Sequence, residues 1–184
     1  MVRRLHGQRA AGVPRWVVLA AYAASLTPLP SAAWRIALGL GATLGPPWHQ
    51  EADTSGPLGM PGLLYMVILS VVSEGLAFLT VGLVSRWGEV VPRWIPFLGG
   101  RRVPTLAAVI PAGLGAIVLT VGLLKGMPSF NDFQMPDGTI AHLAGWSLVT
   151  FTAAYGPLLA WGPLLGIVTV AYYLRRTRAA QAAA

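Results

Sequence analysis

The chain contains no cysteine in 184 residues, which excludes disulfides, thiolate-held iron–sulfur clusters and thiol redox chemistry. Charge is also scarce. Only 10% of residues are charged, whereas a soluble domain carries about 25%. That is too little to cover a water-facing surface. Histidine occurs only as His6, His49 and His142, and none lies inside a long apolar run. A histidine base within an apolar interior is thereby excluded. The sequence has no glycine-rich phosphate loop and no zinc-type ligand spacing. No long internal repeat is visible, so an inverted-repeat transporter within one chain gains no support.

Apolar sequence is what the chain has in abundance. Hydrophobic residues make up 55%, with 22 glycines and 15 prolines, both tolerated better in membrane helices than in soluble ones. The length suits one domain. A net charge of +7 would suit nucleic acid, but its placement points elsewhere. Arg3, Arg4, Arg9 and Arg15 open the chain, Arg86, Arg93, Arg101 and Arg102 sit in the middle, and Arg175, Arg176 and Arg178 close it. The alternate polar stretches carry Glu51, Asp53, Asp132 and Asp137. Basic loops on one side and acidic loops on the other define a membrane topology. Anionic lipid headgroups on the cytoplasmic side, and no nucleic acid, are the expected counter-charge.

Four runs reach the length of about 20 residues that a bilayer span requires. They cover residues 16–44, 60–85, 103–124 and 142–174, between a basic tail at 1–15 and another at 175–184. The expected fold is all-α, a four-helix bundle in the bacterial cytoplasmic membrane with both termini cytoplasmic. The fourth run exceeds the bilayer core and contains Gly156-Pro157 and Gly162-Pro163, so a bend is expected there. The first is interrupted by Pro28 and Pro30, after which Ser31 is placed to cap a second piece. Three readings fit it: one kinked span, a span followed by an interfacial helix, or a cleaved signal peptide. Trp16, Trp34, Trp48, Trp87, Trp94 and Trp146 fall near the expected span ends, where indoles favour the interface, and Trp161 falls inside the fourth span. Small residues crowd the third span at Ala107, Ala108, Ala112, Gly113, Gly115 and Ala116, which suits close helix packing within the bundle or across a homodimer.

The topology explains eleven arginines and isolates the remaining polar groups. Glu74 lies near the middle of the second span, where a carboxylate must be protonated, paired or hydrated. It suits proton coupling or solute binding, or simply a hydrogen bond to a neighbouring helix. Ser70, Ser73, Thr80, Thr120, Thr150 and Thr152 could partner it. Arg35 is the tempting counter-charge, but counting rise per residue places it about 12 Å farther from the basic side than Glu74. Leaning outward beside Trp34 is the more natural course for it. The loop from Arg86 to Pro104 is stiff and aromatic, and Arg93, Arg101 and Arg102 with Trp87 and Trp94 suit an anionic lipid or phosphate as well as plain topology setting. His49, Glu51 and Asp53, with Asp132, Asp137 and His142, read as solvated acidic loops. No metal, no cofactor and no catalytic residue set is expected.

Trp87-Gly88-Glu89-Val90-Val91-Pro92-Arg93-Trp94-Ile95-Pro96, then Gly99-Gly100-Arg101-Arg102-Val103-Pro104, resembles a family of uncharacterised actinobacterial integral membrane proteins. The ending from Trp161-Gly162-Pro163 to Tyr172-Tyr173 resembles it too. That resemblance implies a four-span bacterial membrane protein and carries no activity. Glu74, Gly82-Leu83 and Arg86, with Arg35-Ile36-Ala37-Leu38-Gly39, bear a more distant likeness to DoxX-like four-helix membrane proteins, whose pattern lacks the Pro- and Trp-rich loop. The leading functional expectation is a non-catalytic accessory or scaffold protein. The alternatives are a small-solute or proton-coupled transporter using Glu74, and an enzyme or binder of a lipid-linked phosphate at the arginine-rich loop.

The cysteine-free background makes this topology directly testable. A membrane-impermeant maleimide added to intact cells is expected to label Asp137→Cys and to leave Arg178→Cys unlabelled until the membrane is opened. The reverse pattern inverts the topology.

Overall fold

The computed structural model describes residues 9–40, 61–91, 99–126, 132–134 and 140–181. Its helices are α1 (Arg15–Leu26), α2 (Leu29–Gly39), α3 (Gly62–Gly82), α4 (Thr105–Gly126), α5 (Gly145–Tyr155) and α6 (Trp161–Gln181). A 3-10 stretch, Gly156–Ala160, joins α5 to α6. Four stretches are long and apolar enough to cross a membrane: Arg15–Gly39, Gly62–Gly82, Thr105–Lys125 and Gly145–Gln181. One feature departs from an all-helical chain. Asp132–Gln134 and Ile140–His142 pair as a short antiparallel ribbon, β1 and β2, with Asp132 opposite His142.

Two helix boundaries differ from the sequence expectation. Ser31 does not start α2. That helix begins at Leu29, with Pro30 in its first turn, where a missing N–H costs nothing. The Ser31 hydroxyl instead donates to the Pro28 carbonyl at 2.8 Å. At the other end, the residues expected to form a separate basic tail after Leu174 continue α6 as far as Gln181. Alanine, arginine and glutamine are strong helix formers, so the helix has no local reason to stop.

Helix α1 packs on α3 and α6, α2 on α3 and α5, and α4 chiefly on α6. The larger core joins Val17, Val18 and Ala21 of α1 to Val81 of α3, Ala116 of α4, and Leu165, Val168 and Tyr172 of α6. Beside it lies a smaller cluster of Ala24, Ala77, Leu158 and Trp161. Ala24 and Ala77 are fully buried, a small-on-small contact that brings α1 and α3 close. The outward faces are apolar. On α4, Leu106, Ile110, Leu114, Ile117 and Val118 are exposed, and on α3, Leu64, Val71, Leu76 and Leu79 are.

The tightest helix crossing is at Gly162. A Cβ there would fall 2.7 Å from the Thr120 amide nitrogen and 2.9 Å from the Ala116 carbonyl oxygen. Both are backbone atoms of α4 and cannot swing aside. A Cβ at Gly113, by contrast, would meet nothing within 4 Å. Gly162→Ala is therefore expected to lower stability by about 1–3 kcal/mol in detergent unfolding. Gly113→Ala should cost nothing measurable, and equal effects would refute the close crossing.

Candidate functional site

Positions 70, 74, 77 and 81 lie on one stripe of α3, because residues three and four apart share a helix face. Ser70, Ala77 and Val81 on that stripe are buried. Glu74 sits among them and half-buried, one turn or about 6 Å from Ser70. Helix α2 runs antiparallel along the first half of α3, with Gly39 against Leu63 and Met66. This register brings Arg35 to Ser70, and the Arg35 Nε donates to the Ser70 hydroxyl oxygen at 3.4 Å. Ser70 in turn donates to the Met66 carbonyl at 2.7 Å, which fixes its hydroxyl as the acceptor. The guanidinium thus turns into the helix seam. A serine within reach replaces the outward lean expected from the arginine's depth.

Helix α5 closes the seam. The Arg35 guanidinium makes a side-chain hydrogen bond with Tyr155 and acts electrostatically on Glu74. Tyr155 stacks on Phe151 with centroids 4.7 Å apart. Trp34 meets both rings edge-on, at 5.4 Å from Tyr155 and 6.0 Å from Phe151. Such edge-to-face and offset pairs stabilise beyond their buried area. Two polar atoms remain unsatisfied. Arg35 Nη2 and Glu74 Oε1 are sealed from solvent and have no hydrogen-bond partner among the described residues. The first of these can only donate. The second accepts when Glu74 is ionised and donates when it carries the proton.

The arginine-rich end is organised differently. Glu89 pairs with Arg175, not with an arginine of its own loop, at 2.5 Å. Arg175 also donates to the Ala11 carbonyl at 3.1 Å and the Leu83 carbonyl at 3.4 Å. Its neighbour Arg176 donates to the Val103 carbonyl at 2.8 Å. Both guanidiniums flank the Tyr172 ring, whose hydroxyl donates to the Gly88 carbonyl at 3.3 Å. The loop base is closed by backbone bonds from Val91 to Arg101, Gly100 to Val91 and Val103 to Glu89. Gly100 adopts φ +82°, a left-handed conformation that only glycine takes without strain.

The residues read from sequence as an anion site are thus divided. Arg101 and Arg102 are exposed, whereas Trp87 stacks on Phe78 at 5.9 Å and covers Gly82. Arg93 and Trp94 lie outside the described residues, as do Trp48, His49, Glu51, Asp53 and Asp137. Arg35 and Glu74 are brought into one seam. Sequence reasoning missed Tyr155 and Phe151; a tyrosine four residues after a phenylalanine, within an apolar run, was the signal at hand. Among the described residues no His, Asp and Glu group is placed to hold a metal. No family model matches the chain, and no curated protein or solved structure matches it.

Arg175 carries a testable load. Its side chain and that of Glu89 are 16% and 22% exposed, so water compensates little for their loss. Arg175→Ala is expected to cost about 2–4 kcal/mol in detergent unfolding, because it strands Glu89 and frees two carbonyls. Arg178→Ala, at an exposed position with ordinary helix surroundings, serves as the control and should change stability by less than about 0.5 kcal/mol.

Proposed function

We propose that this chain is a multi-pass protein of the bacterial cytoplasmic membrane, a four-span bundle that acts as a non-catalytic accessory or scaffold protein. In this reading both termini and the arginine-rich loop face the cytoplasm. Pro28 and Pro30 bend the first span, and Pro157 and Pro163 bend the fourth. The supporting observation is the distribution of apolar surface. Four stretches of spanning length present exposed leucine, isoleucine and valine outward, most completely on α4, and a surface of that kind needs lipid as its solvent. Exposed Arg101 and Arg102 then meet anionic headgroups, while Arg175 and Arg176 tie the helix ends together from beneath.

A second reading, a small-solute or proton-coupled transporter, is favoured by one observation: the two unpartnered polar atoms on Arg35 and Glu74. Intramembrane ionisable groups of this kind mark ion and solute pathways in other membrane proteins. Reconstituted vesicles separate the readings. The accessory reading expects no solute-driven proton flux, and an unchanged yield, fold and membrane location for Glu74→Gln. A solute-dependent flux that Glu74→Gln abolishes would replace it with the transporter.

A further inference from the structure

We propose that the seam between α2, α3 and α5 binds a small organic monocarboxylate at Arg35, and that Glu74 takes up one proton as it binds. The inference goes beyond the accessory reading and requires no transport.

The hydrogen-bond pattern sets the shape of the ligand. Arg35 Nε is committed to Ser70 and the guanidinium also engages Tyr155, which leaves Nη2 as the free donor. Glu74 Oε1 is the free carboxyl oxygen, on a residue one turn along the same α3 stripe. A carboxylate offers two acceptor oxygens. Arg35 Nη2 serves one in a charge-assisted bond, and a protonated Glu74 donates from Oε1 to the other. One ligand group thus satisfies both orphaned atoms. A protonated Glu74 is required, since an ionised one presents only acceptors to an acceptor.

Charge gives the same answer independently. Arg35 and an ionised Glu74 together are neutral. An added anion would leave one uncompensated negative charge among apolar helices, which is costly in a low dielectric. Transfer of one proton from water to Glu74 restores neutrality, and no other bond forms or breaks. Among the described residues no second cation is at hand for a dianion such as phosphate. Helix α1 carries Tyr22, and Arg15 at its far end; α2 carries Arg35 alone; α5 carries Tyr155; α6 brings Tyr172, Tyr173, Arg175, Arg176 and Arg178 only at the basic end; Arg86 follows α3 at that same end. Arg35 is the charge that acts on Glu74. The Trp34, Phe151 and Tyr155 rings lie on the same side as the guanidinium and suit an organic body better than a bare halide.

The test is calorimetric titration of the full chain in lipid nanodiscs with benzoate and butyrate. It is run between about pH 5 and 8, in buffers of different ionisation enthalpy. The expected result is one proton taken up per anion, with affinity falling about tenfold per pH unit once Glu74 is ionised in the free protein. Glu74→Gln, close in size and able to donate from its amide, should bind with no proton uptake and no pH dependence. Arg35→Gln should weaken binding at least about tenfold. Absence of binding in both the wild type and Glu74→Gln, binding without proton uptake in the wild type, or full affinity in Arg35→Gln would each overturn the proposal. Binding with proton uptake but without vesicle flux would remove the transporter reading alone.

Discussion

An exterior of leucine, isoleucine and valine around four spanning-length stretches obliges the polar groups to find their partners inside. The hydroxyls meet this constraint locally. Ser25, Thr27 and Ser31 donate to carbonyls three residues back, and Ser70, Ser73, Thr120 and Thr169 to carbonyls four residues back. Bonded this way, a serine or threonine behaves almost as a small apolar residue and packs freely. Thr120 shows the benefit: its hydroxyl is spent on Ala116, and the bare backbone of both faces Gly162. Charged side chains have no such local solution, and their placement organises the remainder of the structure.

The bundle divides along its length accordingly. Toward the arginine-rich end, α1, α3, α4 and α6 pack through alanine, valine and glycine, and one arginine gathers the ends of three segments. Arg175 reaches Ala11, Leu83 and Glu89, so the start of the chain, the end of α3 and the loop are held by a single guanidinium. The Tyr172 ring beneath it keeps both arginines oriented without using their N–H groups. Toward the other end, α2, α3 and α5 pack through aromatic rings and a polar strip. The first half holds helices in place. The second contains the chemistry.

Much of the first half was legible in sequence, because it follows from periodicity and charge placement. Long apolar runs between arginine clusters marked the spans, and Gly156-Pro157 lies where the α-helical pattern gives way to a 3-10 stretch. The tertiary use of Arg175 was not legible. An arginine after an apolar run reads as a topology signal, and nothing local reveals that its partners lie 86, 92 and 164 residues away. The same limit hid Tyr155. Glu74 was conspicuous because a carboxylate in an apolar run is rare, whereas a tyrosine there is ordinary until α5 is seen to lie against α2. Depth counting set Arg35 beyond Glu74, and the helix register runs it alongside Ser70. What the count missed was that a side chain of arginine's length can bond to Ser70 and still act on Glu74 one turn away.

That offset bears on why the two charges are kept at all. A buried arginine–carboxylate pair is a poor stabiliser, because desolvation offsets most of the attraction even when the contact is ideal. Here the contact is not ideal: Arg35 spends its Nε on a neutral serine, and one polar atom on each charged group is left without a partner. Each orphaned atom costs roughly 1–3 kcal/mol, more for a charged group. Replacing both residues by apolar ones of similar volume would be expected to stabilise the seam. Stability therefore does not account for the pair. A seam that stays incompletely satisfied when empty, and becomes satisfied by a group carrying two acceptors, does.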